Sequence, residues 1–245
     1  MQQTLRTIMA AVALMTTLTL MAERRTDVFQ TPSGKTVKIT NIKHASIQIE
    51  YDGRFIYFDP EGTLQPTIDY ADFPKANYIF VTHEHHDHFD REAIAQLRFS
   101  GTNIYTNPAV QRSFSTAIAL ANGDSLAIDT DIAVAAVPAY NTTEGRDQFH
   151  PKGRDNGYVL TLDGLRIYVA GDTEDIPEMV NLKAIDIAFL PCNQPYTMTP
   201  EQLARAAKII KPRVLYPYHY NNTPLSKLKM LLVGTGIEVR IRDYQ

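Results

Sequence analysis

With one cysteine in 245 residues, Cys192, the chain can build neither an intramolecular disulfide nor a thiolate-rich structural zinc site. A basic excess is also missing. The formal net charge is -3 and the pI near 6.2, which leaves no broad positive field of the kind that holds nucleic-acid backbones. No low-complexity linker interrupts residues 35–245, so one domain is expected, and 44% hydrophobic content is enough for a well-buried core. The one long apolar run, residues 8–22 after Arg6, is short for a membrane span. Residues 1–22 therefore read as a signal peptide or an uncleaved N-terminal anchor, and export to a periplasm or membrane surface is expected, with a cytoplasmic chain as the alternative where the run is not a signal. No cysteine follows the run, which excludes lipidation there.

What the chain does have is alternation. After a polar, turn-rich stretch at residues 23–34, ordered structure is expected from Lys35, with strands at 35–40, 46–51 and 54–58. Asp52-Gly53 supplies a two-residue hairpin turn between the last two. A strand at 77–82 follows, and Asp90 can cap a helix through Leu97. The second half repeats the pattern, with strands at 158–162 and 165–170 around Asp163-Gly164, so two similar β-rich halves are expected. Later, 185–190 and 214–218 read as strands. Thr199, Pro200 and Gln202 open a helix with a capping box, and a helix near 224–232 and a strand near 237–241 close the chain.

Metal chemistry here must fall to imidazole and carboxylate. Seven histidines are available, and four of them crowd into His83, His85, His86 and His88, interleaved with Asp87 directly after an apolar strand. If the backbone stays extended there, His83, His85 and Asp87 project to one side and His86 to the other, which sets His86 aside. A solvated histidine loop is the bland alternative, but a strand-anchored cluster with an aspartate fits the ligand chemistry of catalytic zinc. Asp172, after Gly171, can aim a carboxylate at a sheet rim, although an ordinary turn aspartate reads the same way.

The run resembles the His-x-His-x-Asp-His signature of the metallo-β-lactamase superfamily. Phe58-Asp59-Pro60, Ala170-Gly171-Asp172-Thr173 and Tyr218-His219-Tyr220-Asn221 match further elements of that family in its order, and His44-Ala45 resembles an early element of its ascorbate-6-phosphate-lactonase-like branch. The resemblance implies an α+β fold, the four-layer αββα sandwich of the metallo-β-lactamase type, over a hydrolase domain at residues 31–245. It implies two divalent ions, zinc first with manganese or iron as alternatives. His83 and His85 would bind the first and Asp87, His88 and His219 the second, with Asp172 bridging. Asp59 would support the ligands from behind.

One position departs from the family pattern. The strand at 132–138 runs into Ala139-Tyr140-Asn141 without the usual histidine, so either Asn141 or His150 completes the first site. Imidazole is the better donor, which favours His150. His44 reads equally as a half-buried strand-end residue or as a group contacting ligands or substrate. The expected activity is hydrolysis of an ester-type bond by an activated water, with Asp87 and His88 at the catalytic centre and a lactone or other carboxylic ester as substrate. A phosphodiesterase or phospholipase-D-like hydrolase, or a non-catalytic metal-binding scaffold with an incomplete first site, is the alternative. The partner expected is a small molecule, and Arg146, Lys152 and Arg154 beside His150 are either readers of an anionic group or a solvated charged face.

Overall fold

The computed structural model describes residues 26–243, so the signal or anchor expected at 1–22 lies outside the described residues. The hairpin expected at Asp52-Gly53 joins β3 (Ser46–Tyr51) to β4 (Arg54–Phe58), with both turn residues at positive φ. Its counterpart at Asp163-Gly164 joins β10 (Asp155–Leu162) to β11 (Leu165–Val169) in the same conformation. Two-residue turns of this kind match the right-handed twist of the strands that they join.

Each half becomes one seven-stranded mixed sheet. The first runs β1 (Thr26–Gln30), β2 (Thr36–Lys43), β3, β4, β5 (Tyr78–Val81), β6 (Asn103–Thr106), β7 (Ile118–Ala119). The second runs β14 (Glu238–Val239), β13 (Val214–Tyr218), β12 (Ile187–Pro191), β11, β10, β9 (Ile132–Ala139), β8 (Ser125–Ala127). In both, antiparallel pairing up to the hairpin gives way to parallel pairing after it.

The sheets pack face to face around Phe58, Phe80, Tyr158, Phe189 and Tyr216. On the outer face of the first sheet, α1 (Arg91–Leu97) buries Ala93, Ile94 and Leu97 over Tyr57 and Ile79, and α2 (Pro108–Ser113) adds Val110. On the outer face of the second, α3 (Pro200–Ile210) and α4 (Ser226–Leu231) lay Leu203, Ala207 and Leu228 over Ala188 and Leu215. Three separate cores thus define four layers, αββα. A fully buried side chain of this size contributes roughly 1.5–3 kcal/mol. The caps read from sequence are present: Asp90 accepts from the amides of Glu92 and Ala93, and Thr199 and Gln202 form a reciprocal box. No described helix is long and apolar enough to cross a membrane.

Two stretches differ from the sequence reading. Residues 26–30, read as polar and turn-rich, are strand β1. Its polar residues belong to a sheet edge, and its place is fixed at long range by Asp27, which accepts from Arg240 at 3.1 Å, Arg242 at 2.7 Å and the Tyr216 hydroxyl at 2.7 Å. Strands β6 to β8 and α2 carry too weak a period to be seen without their neighbours.

The close approach of the sheets beside the site has a measurable cost. Gly171 sits at φ +64°, and a Cβ there would lie 2.7 Å from the Asn156 carbonyl oxygen and 3.1 Å from Thr82 Cβ. Gly34, at φ +88°, has nothing within 4 Å. Gly171→Ala should therefore destabilise by about 1–3 kcal/mol and by more than Gly34→Ala in denaturant titrations, since only the first adds a backbone clash to the left-handed cost. Equal losses would refute the close-approach reading.

Candidate metal centre

The residues singled out from sequence converge at the ends of strands. β5 delivers the chain to Thr82, whose amide donates to Asp59 Oδ1 at 2.8 Å and whose carbonyl accepts from the Asn156 amide at 3.1 Å. His83 and His85 follow, and then the chain turns: the amides of His88 and Phe89 both donate to the His85 carbonyl, at 3.0 and 2.9 Å. Asp172 comes just beyond β11, His219 directly after β13, and His44 lies in the turn after β2. His150 comes from the loop between β9 and β10. His44, Asp59 and His219 have positive φ without being glycine, a conformation that costs free energy and collects at functional sites.

Three overlapping groups result. His83, His85 and His150 have donor atoms within 4.8 Å of one another, as do His44, Asp87, His88 and His219, and His83, His88 and Asp172. Asp172 reaches both sides, with Oδ2 3.4 Å from His150 Nε2 and 3.4 Å from His219 Nε2, and Oδ1 3.3 Å from His88 Nε2. Asp87 Oδ2 lies 3.3 Å from His219 Nε2 and 3.1 Å from His44 Nε2. His83 Nε2 and His85 Nδ1 are 3.1 Å apart. Ligand bonds of 2.0–2.1 Å in a tetrahedron put neighbouring donor atoms about 3.3 Å apart, so these spacings suit a small divalent cation.

The outer ring nitrogens decide what the inner ones offer. The Thr82 hydroxyl donates to Asp59 Oδ2 at 2.7 Å, so its oxygen is left to accept from His83 Nδ1 at 3.0 Å. His88 Nδ1 lies 2.8 Å from Asp59 Oδ2, and His150 Nδ1 2.7 Å from Asn141 Oδ1. Each Nδ1 is therefore assigned a proton, which turns each Nε2 to the centre of the cluster. His88 Nε2, His150 Nε2 and Asp172 Oδ1 are buried without a hydrogen-bond partner among the described residues. Buried polar atoms are rarely left so, and a cation shared by imidazole and carboxylate donors would satisfy such a set.

Burial holds His44 and His83 below the ordinary histidine range, joined by the neighbouring His219 and His88 rings, and pushes His150 down to about 4. His85 is lowered too, by burial and by Arg154. Burial opposes a charge on His88 as well, but Asp172 and Asp59 outweigh it and hold that ring well above the ordinary range. Burial would raise Asp87 and Asp172, yet the imidazoles around them, His219 foremost, keep both carboxyls well below theirs.

Of the two candidates for the open position, His150 faces His83 and His85. Asn141 stands behind it, with its amide nitrogen donating to the Tyr196 carbonyl at 2.7 Å. His86 is exposed and outside the cluster, but because the chain turns, not because an extended strand aims it away. Arg146, Lys152 and Arg154 are each engaged by carboxylates: Arg146 lies 3.5 Å from Glu174, Lys152 2.7 Å from Glu178, and Arg154 grips Asp155. Two supports have no sequence signal. Glu174, fully buried, accepts from the amides of Thr142 and Thr143 and latches the loop carrying His150. Lys43 and Glu61 form a buried ion pair at 3.1 Å beside His44. Only their position next to Asp172-Thr173 and His44 in the chain could have drawn attention to them.

Residues 38–219 match the model of the β-lactamase superfamily domain. A UPF0173 metal-dependent hydrolase of Ligilactobacillus salivarius is 34% identical over 198 residues, 77% of this chain and 87% of that protein. The crystal structure of a Parabacteroides distasonis protein assigned by inference as a metal-dependent hydrolase superposes with a TM-score of 0.87 at 52% identity, over 90% of this chain and 99% of the other. Igni18, a metallo hydrolase from the hyperthermophilic archaeon Ignicoccus hospitalis, superposes with a TM-score of 0.70 at 26% identity, covering 84% and 95%.

The buried neutral rings set a pH dependence for the metal-free chain. His44, His83 and His150 are lowered in the fold from 6.5, the last to about 4. From about pH 6.5 down to about 4 the unfolded chain then binds more protons, and stability falls with acid by about 1.4 kcal/mol per pH unit for each net proton. Asp155, raised to about 6 by burial even against Arg154, opposes this with one proton. His88, raised in the fold, contributes stability that is lost only above about pH 6.5, where the unfolded ring is neutral. Denaturation midpoints of chelator-treated protein should drop between about pH 6.5 and 4; a flat or rising midpoint would rule out the neutral rings.

Proposed function

This chain belongs to the β-lactamase superfamily, among its metal-dependent hydrolases, and on that premise we propose that it cleaves an ester-type bond, a lactone or other carboxylic ester, at two divalent cations. The observation that carries the proposal is Asp172, whose two oxygens face imidazoles of both histidine groups at 3.3–3.4 Å. His83, His85 and His150 would hold one cation, Asp87, His88 and His219 the other, and Asp172 both. Zinc suits imidazole and carboxylate donors, and manganese or iron(II) would serve the same set. Bound there, such cations would lower the pKa of a water from about 15.7 toward 7 and polarise a substrate carbonyl.

The chain's own residues then bind and orient. Asp87 is the open carboxylate of the cluster, with 23% of its side chain exposed against 3% for Asp172, and it stays ionised. It can accept a hydrogen bond from the attacking water and turn it toward the carbonyl, while His44, 3.1 Å away, holds its Oδ2. Asp59 and Asn141 fix the tautomers of His88 and His150 from behind. A neutral ester is favoured over a phosphodiester because the three cationic side chains near His150 are already paired. Resemblance to the ascorbate-6-phosphate-lactonase-like branch supports the same substrate class. The apolar leader supports export of the chain, with a small-molecule substrate met outside the cytoplasm.

Purified protein should carry about two metal equivalents and hydrolyse lactones or aryl esters until a chelator is added, with recovery on zinc, manganese or iron(II). Asp172→Ala should lose more than the roughly 10–100-fold that losing an outer hydrogen-bond partner costs, and Asn141→Ala should fall within that range. Elemental analysis and hydrolase assays check both. Less than one equivalent, with no turnover after reconstitution, would overturn the proposal.

A further inference from the structure

Arg154 lies outside the cluster, yet it touches the chain segments that carry all three imidazoles of the first group. Its Nε donates to Asp155 Oδ1 at 2.7 Å and lies 3.2 Å from Glu84 Oε1, and Glu84 is the residue between His83 and His85. Its Nη2 donates to Asp155 Oδ2 at 2.8 Å and to the Phe149 carbonyl at 2.8 Å, and Phe149 immediately precedes His150. Asp155, fully buried, begins β10, and the next residue, Asn156, donates its amide to the carbonyl of Thr82, next to His83. One planar guanidinium thus ties the turn of the signature run to the His150 loop and roots both in the second sheet. A lysine, with a single point of charge, could not span these partners.

The contact matters because the first group is assembled from two separate chain segments. His83 and His85 are anchored by the sheet through Thr82, whereas His150 sits among turns between β9 and β10. A cation binding across them gains affinity in proportion to how much of the closure is already made in the fold. We propose that Arg154 is a positioning residue for the first cation: through Glu84 and the Phe149 carbonyl it holds the His83/His85 turn and the His150 loop at the separation that lets three imidazoles share one ion. In this role the guanidinium acts through the two segments that it joins, its charge paired by Asp155 and Glu84. The inference rests on the two-cation reading above.

The test reads metal affinity in the full chain, by elemental analysis after dialysis and by chelator competition with zinc. Arg154→Met is combined with Asp155→Asn, so that no buried carboxylate is left unpaired, and Glu84→Ala removes the other end of the bridge without a buried charge. His150→Ala and His219→Ala identify which equivalent belongs to which group, and Lys152→Met, on the same loop but paired with Glu178, is the control. Both bridge variants should weaken by about 10–100-fold the equivalent that His150→Ala loses, leave the other at native affinity, and unfold metal-free at the temperature of the control. Native affinity at both sites, equal weakening of both, or a metal-free unfolding temperature well below the control would overturn the positioning role. Fewer than two equivalents in the native chain would overturn the two-cation reading itself, before any variant is compared.

Discussion

The structure depends on keeping a crowd of imidazoles turned inward. Six of them, with Asp87 and Asp172, stand within a few ångströms of one another, all buried but His85 and Asp87, which are part-open to water. For three of them the fold supplies a buried acceptor for the proton on the far side of the ring: Thr82 for His83, Asp59 for His88, Asn141 for His150. Those supports need supports in turn. Asp59 is fixed by the Thr82 amide, Asn141 by the Tyr196 carbonyl, and the loop behind it by Glu174. The arrangement is rigid because buried polar groups that lose a partner are costly, not because any single bond is strong.

The two-sheet architecture brings the pieces together. Strands β5, β11 and β13 run into the site from parallel stretches of both sheets, so their following residues gather along one rim. Close contact there is possible because Gly171 lets the second sheet approach Thr82, and because the Asn156 amide and the Tyr158 hydroxyl bond to the carbonyls of Thr82 and Val81 across the interface. The hydrophobic core between the sheets sets the distance, and the polar contacts set the register.

Much of this was legible in the sequence. The paired Asp-Gly turns announced two similar halves, and the alternation of His83, His85 and Asp87 announced a cluster. Donor chemistry favoured His150 over Asn141, and in the structure His150 faces His83 and His85 while Asn141 accepts from its Nδ1. What was not legible depends on contacts distant in sequence. β1 looks like a polar leader because its partners, Arg240 and Arg242, lie at the other end of the chain. The turn at residues 85–88 breaks the extended spacing because the His85 carbonyl captures two amides, which no local period reveals. Arg154 reads as a loop cation until Glu84 and Phe149 are seen beside it.

The chain of bonds through Thr82 joins the two histidine groups. His83 belongs to the first and His88 to the second, yet both rings end on one acceptor: His88 directly on Asp59 Oδ2, His83 through the Thr82 hydroxyl that donates to the same oxygen. A hydroxyl has one proton, so its direction cannot be reversed toward His83 without withdrawing a donor from Asp59, and the loss of that donor is felt at His88. The two groups, separate in composition, therefore share one fixed polarity and behave as a single electrostatic unit wired through one buried carboxylate.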